Sequence, residues 1–181
     1  MCFPAFRYCD RTLALLLKTF IDIILLRKGP EHVPNSLFVL AFAFILLLVA
    51  TLFSATLAQA GNGDSTLLSL LSSLFGYLLY WIVLVATGFA DRLVPTIASI
   101  MACGSLLTIA MVLAAMVLLP TLGGSLTAIA IWLILIWSVP VKGHIIARAI
   151  DSHWYTGIAI AMTIFITQYV SYQAMIGRIG S

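Results

Sequence analysis

From Ser36 onward the chain alternates long apolar runs with short polar breaks. Five runs stand out, at about 37–58, 67–86, 95–119, 126–141 and 155–175. As helices rising about 1.5 Å per residue they match, or nearly match, a hydrocarbon layer about 30 Å thick. In such a layer each backbone N–H and C=O must be satisfied within its own segment, so continuous runs predict helices. A membrane barrel would need alternation of apolar and polar residues, and the runs show none. The stretch 131–154, IWLILIWSVPVKGHIIARAIDSHW, organises the rest, because a span passes through it into a short basic turn and the start of the next span.

The segment before the first run has a different period. In RTLALLLKTFIDIILLRK, residues 11–28, the polar residues Arg11, Thr12, Lys18, Thr19 and Asp22 cluster on roughly a third of a wheel drawn at about 100° per residue. Leu13, Leu16, Leu17, Phe20, Ile21, Ile24 and Leu25 cover the remainder, with Leu15 out of place. This predicts an amphipathic helix in the headgroup plane, with Arg11, Lys18, Arg27 and Lys28 touching the membrane surface. Packing of its apolar face on the protein's own helices is the competing expectation. Gly29, Pro30 and Pro34 then predict a helix stop and a turn into the bilayer, with Asn35 or Ser36 as N-cap. The expected fold is an all-α membrane protein, with residues 1–35 as amphipathic helix and turn and 36–181 as a five-span domain.

The breaks between spans carry their own signals. Ala58-Gln59-Ala60 resembles a signal-peptidase site, but the run before it is longer than a signal core and follows a basic segment. The tight turn from Gly88 to Arg92, with Pro95 in the next first turn, predicts a helical hairpin. A second turn is expected over 120–125, and Pro140 should kink or end the fourth span. Tyr77, Tyr80 and Trp81 suit packing against neighbouring helices, with ligand stacking as the alternative. The polar far end of the fifth span, from Thr163 to Gln173, fits capping and interfacial solvation or a polar vestibule.

Composition agrees with the pattern. At 63% hydrophobic and 8% charged residues, the chain has too much apolar surface for one soluble core. The net charge of +3 fits anionic headgroups on the inner leaflet and implies no nucleic acid. With five spans and the N-terminus inside, Arg7, Arg11, Lys18, Arg27, Lys28, Arg92, Lys142 and Arg148 fall inside and Arg178 alone outside. The C-terminus is then outside, as in a protein of a bacterial cytoplasmic membrane.

Candidate chemistry is sparse. Lys142, His144, Arg148, Asp151 and His153 are expected together on the inner turn as an interaction site, with Arg148 and Asp151 as a local ion pair. The fixed charge of Arg148 disfavours a metal there. No charged residue lies between Ser36 and Ala90 but for Asp64 in the polar break, and none is expected in the interior of the third span, which speaks against an ion-coupled transporter. The small residues Ala98, Ala102, Gly104, Gly157 and Ala161 predict close helix packing. Cys2, Cys9 and Cys103 are expected as free thiols, with acylation of Cys2 or Cys9 as an option. No nucleophile, metal or phosphate-loop motif is present, so neither an enzyme nor a cofactor is expected.

Four segments carry a family resemblance: LFGYLLYW at 74–81, GFADRLVPT at 88–96, IASIMACGSLL at 97–107 and LIWSVPVKGHIIARAIDSHWYTGIAIAM at 135–162. With Trp137-Ser138 near the end of the fourth span, His144 and Arg148 in the turn, and Gly157, Ala159 and Ala161 opening the fifth, the chain resembles the Yip1-like family of small five-span membrane proteins. The short loops resemble bacterial members. The resemblance implies a trafficking or membrane-organising role, unsettled in bacterial members, and transfers no catalytic residue. The function expected from sequence is a scaffold or accessory subunit, with membrane-protein partners or a homo-oligomer. The alternative is a small permease or channel component using Tyr77, Tyr80 and the polar end of the fifth span.

Overall fold

The computed structural model describes the backbone of residues 5–57 and 63–179 and the side chains of residues 15–55 and 67–175. Cys2, the Ala58-Gln59-Ala60 motif and the side chains of Arg7, Cys9, Arg11 and Arg178 lie outside the described residues. Among the described residues the fold is all helical: α1 (Ala5–Ile24), α2 (Leu37–Leu57), α3 (Gly63–Ala86), α4 (Leu93–Ala149) and α5 (Trp154–Ile179), with 3-10 turns at Pro30–His32 and Ala90–Arg92. Four of these helices, α2 to α5, are long and apolar enough to cross a membrane.

Helix α4 has 57 residues and would be about 86 Å long if straight. It is not straight. Gly123, at φ 78° and ψ 173°, is the one residue inside it with non-helical backbone. Arg92 at its start donates to the carbonyl of Ala149 at its end, 3.3 Å away. The helix therefore doubles back at Gly123 into two antiparallel limbs, 93–122 and 124–149. The expected six-residue turn over 120–125 is corrected to a reversal at one glycine. Pro120 and Pro140 both remain inside helix, and the second limb continues to Ala149 rather than ending near Pro140. A proline removes one backbone bond, and the rest of the limb stays helical on both sides of Pro140.

The core gathers where α2 begins, α3 ends and the two ends of α4 meet, hereafter the basic end. Phe20 and Ile23 of α1, Leu84 of α3, and Ile100, Ile145 and Ile146 of α4 are fully buried there. Towards Gly123 the limbs turn Leu113, Val117, Leu122, Ile129, Leu133 and Ile136 outward, a continuous apolar surface that suits lipid and not water.

Helix α1 uses Leu16, Phe20 and Ile23, spaced four and three residues apart, to pack on α4. Cys103 of the first limb lies 3.7 Å from the Phe20 carbonyl, and Trp137 of the second donates to the Ile24 carbonyl at 3.2 Å. The apolar face is thus turned to the protein's own helices, while Leu15, Lys18, Ile21 and Leu25 stay exposed. The helix ends at Ile24, well before Gly29: Leu26 takes φ 60°, and the Arg27 N–H donates back to the Asp22 carbonyl at 2.9 Å. A left-handed leucine costs about 1–2 kcal/mol, and packing of Leu26 against the core holds it there. Gly29 instead caps the 3-10 turn that follows.

Small residues bring the second limb and α5 together. A Cβ on Gly143 would lie 2.9 Å from the Ile158 Cα, and one on Gly157 would collide with the Gly143 carbonyl and with Ala147. Ala98, Ala102, Gly157 and Ala161 are all buried between helices of the chain. Gly104 differs: the Tyr77 hydroxyl lies 3.7 Å from where its Cβ would be, and the space beside it is a cavity.

Candidate functional site

That cavity is built from stripes at helical spacing. Helix α3 contributes Ser69, Ser73, Gly76, Tyr77 and Tyr80, each three or four residues from the next but for one adjacent pair, so all lie along one face. Helix α2 adds Leu47, Ala50, Thr51 and Ser54. The first limb of α4 adds Gly104, Leu107, Thr108 and Met111, the second Ile134, Leu135, Ser138 and Lys142, and α5 adds Phe165, Gln168, Tyr169 and Tyr172. The space has two lobes, of about 340 Å³ and 140 Å³, which share Ser69, Ser73, Gly104, Thr108, Lys142 and Gln168. The larger has the volume of a small-molecule site.

Its polar groups differ in what they have left to offer. The hydroxyls of Thr51, Ser54, Ser73, Thr108 and Ser138 donate to carbonyls three or four residues earlier in their own helices, at 2.6–3.0 Å. Their oxygens keep acceptor capacity while their protons are committed. Gln168 donates from Nε2 to the Ser72 carbonyl at 3.0 Å, an approach open because Gly76 has no side chain. Tyr80 is 2% exposed, and its Oη has no hydrogen-bond partner. Lys142 lines both lobes, and none of the described acidic residues lies within ion-pair distance of it.

The five residues expected as one inner-turn site therefore divide. Lys142 sits on the helix one turn before Ile146 and faces the cavity. His144 is half-buried, hydrogen-bonds the Lys28 backbone, and leaves Nε2 without a partner. Arg148 lies 4.0 Å from Glu31, and Asp151 pairs with Arg92 at 2.7 Å. The expected Arg148–Asp151 pair is corrected, because Asp151 takes φ 48° and its side chain turns towards the α3–α4 connection. His153 is exposed, and its carbonyl accepts the first N–H bonds of α5 from Thr156 and Gly157. The turn itself shrinks to 150–153, because Lys142, His144 and Arg148 are all helical.

A second depression, about 370 Å³, lies on the basic end between Glu31, Arg92, Thr96, Arg148 and Asp151. Its two guanidinium groups face two carboxylates, so its field is balanced. Of the expected surface contacts, Lys18 and Arg27 are exposed, while Lys28 is tied to Asp22 at 2.8 Å. That bond holds the Asp22 carboxyl below its ordinary range. Among the described residues no group of three His, Cys, Asp or Glu side chains could hold a metal.

The sequence reading placed Lys142 on the inner turn just beyond the fourth span, whereas the structure places it within helix α4 on the cavity wall. The usable signal was the recurrence of polar residues three and four positions apart within each span. Comparison with known protein families, characterised proteins and solved structures finds no match, so the cavity stands on its own geometry.

Proposed function

We propose that the chain is a non-enzymatic, five-span protein of a bacterial cytoplasmic membrane that acts as a small permease or channel component for a small polar solute. Each limb of α4 is about 40 Å or more in length, enough to cross a hydrocarbon core of about 30 Å. Arg27, Lys28, Arg92 and Arg148 gather at the basic end, which the positive-inside rule assigns to the cytoplasm, leaving the C-terminus outside. The observation that carries the reading is Lys142 beside Tyr77, Tyr80 and Gln168 in one cavity within an apolar bundle. An ionisable residue lining a cavity inside an apolar bundle is costly to place there, and marks a functional site by default.

The path is closed towards the basic end by Leu84, Ile100, Ile145 and Ile146. Passage requires these side chains to part, as in alternating access between two packings. The accessory-subunit reading rested on small-residue faces and an inner basic helix holding partners. Ala98, Ala102, Gly157 and Ala161 are consumed inside the chain, so those faces no longer call for one. The Yip1-like resemblance names neither a solute nor a site residue.

The test is osmotic swelling of proteoliposomes holding the full chain, in glycerol, choline chloride, or potassium lactate or phosphate with valinomycin. Swelling above empty vesicles in at least one solute, blocked by filling the cavity with Thr108→Trp, is the expected result. No swelling in any of them overturns the proposal.

A further inference from the structure

The cavity has a charge imbalance that its own walls do not cancel. Lys142 brings an amine to both lobes, and no carboxylate lines either one. Of the described acidic residues, Asp22, Glu31 and Asp151 are engaged at the basic end and Asp91 lies exposed in the α3–α4 turn. An ammonium group carried away from bulk water needs an opposite charge or hydrogen-bond acceptors to replace the lost hydration. The serine and threonine oxygens supply neutral acceptors only.

A second observation is independent of the first. The Tyr80 hydroxyl is buried at the wall of the smaller lobe with no partner, although buried phenols ordinarily find one. It is a donor left over in a place where the hydroxyl protons of Thr51, Ser54, Ser73 and Thr108 are committed to backbone carbonyls. A cation and a free O–H at one cavity are complementary to an oxygen-bearing anion, and repel a cation.

We infer that the cavity binds an oxyanion, a carboxylate or phosphate group, with Lys142 as its counter-charge and Tyr80 donating to one of its oxygens. The inference rests on the permease reading and narrows its solute to an anion. The same chemistry is offered by a free organic or inorganic anion and by an anionic lipid headgroup reaching in between helices.

The experiment uses the full chain with Cys2, Cys9 and Cys103 replaced by alanine and Ser73→Cys as a reporter on the cavity wall, in vesicles of phosphatidylcholine alone. Two methanethiosulfonate reagents of similar size are compared, one bearing a sulfonate and one a quaternary ammonium. The sulfonate reagent is expected to react about tenfold faster, after correction for rates on a free thiol, because a fixed positive charge acts across a poorly screened cavity. The preference disappears in Lys142→Met and returns in Lys142→Arg. Inorganic phosphate, or phosphatidylglycerol added to the vesicles, slows the reaction when Lys142 is present; whichever of the two protects identifies the source of the anion.

Equal rates for the two reagents overturn the inference and leave the permease reading standing. Protection by neither phosphate nor phosphatidylglycerol also overturns it. Failure of both reagents to react shows a cavity closed to water, and removes the permease reading as well. If Lys142→Met does not fold, as judged by circular dichroism and size exclusion, the starting protein and Lys142→Arg still decide between these outcomes.

Discussion

Replacing Gly157 with alanine adds one methyl group where α5 meets the backbone of the second limb of α4. Built on the backbone, that methyl lies 2.6 Å from the Ala147 Cβ and 2.9 Å from the Ala147 nitrogen, with the Gly143 carbonyl closer still. Carbon atoms in contact prefer about 3.5–4.0 Å, so α5 and the second limb must separate by about 1 Å. The obstacles are backbone and a β-carbon, which have no rotamer to escape into. Overpacking of this kind costs about 1–3 kcal/mol, and alanine's better helix propensity returns at most about 1 kcal/mol. The net expectation is a loss of about 1–2 kcal/mol, with the Gly143–Ile158 contact loosened by the same movement. Gly104→Ala is the matched control, because its methyl finds the Tyr77 hydroxyl at 3.7 Å and meets no backbone. Unfolding of both variants in lipid nanodiscs, followed by tryptophan fluorescence, reads the difference. If Gly157→Ala is as stable as the parent, or more stable than Gly104→Ala, the close approach of these helices does not hold as described.

Three further outcomes follow from single positions. Gly123→Ala should destabilise the protein by about 1–3 kcal/mol, because φ 78° with ψ 173° is a region open essentially to glycine alone; Gly124→Ala, with free space around it, should be close to neutral in the same unfolding assay. Tyr80→Phe should raise the stability of the ligand-free protein by about 1 kcal/mol by removing a buried hydroxyl with no partner, read as a higher unfolding midpoint. The Lys28 ammonium lowers the Asp22 carboxyl below its ordinary 3.8, so the pair contributes its full stability above pH 3.8 and loses it as the pH falls further through the lowered value. Proteolysis of α1 as a function of pH should therefore show an acid-dependent step below that value, absent in Lys28→Met.

Much of the architecture was legible in the hydrophobic pattern. The apolar runs anticipated α2, α3 and α5 to within a few residues, because the length of a membrane helix follows from the thickness it must cross. The N-terminal pattern likewise located α1. Its period did not reveal that Phe20 and Ile23 would be buried, with Cys103 and Trp137 meeting the Phe20 and Ile24 carbonyls, since an apolar stripe is equally compatible with lipid and with protein. Helix ends were read less well. Leu26 and Asp151 take left-handed conformations on the strength of the packing and ion pairs around them, and no local propensity announces that. Pro140 illustrates the converse, a strong local signal that does not end the helix it lies in.

Sequence alone determined the helical class of this protein and the runs long and apolar enough to cross a membrane, because these depend on the totals and periods of side chains and not on which of them meet. Only the tertiary structure decided where the reversal at Gly123 brings Arg92 to Ala149, and that Gly104 borders a cavity while Gly157 closes a contact. It also moved Lys142 from a supposed surface turn to a cavity wall shared with Tyr77, Tyr80 and Gln168. Those four residues come from three helices and stand up to 91 positions apart. Their meeting depends on the rotation of each helix about its own axis, which is set by packing against neighbours far away in the chain and has no counterpart in any single run of residues.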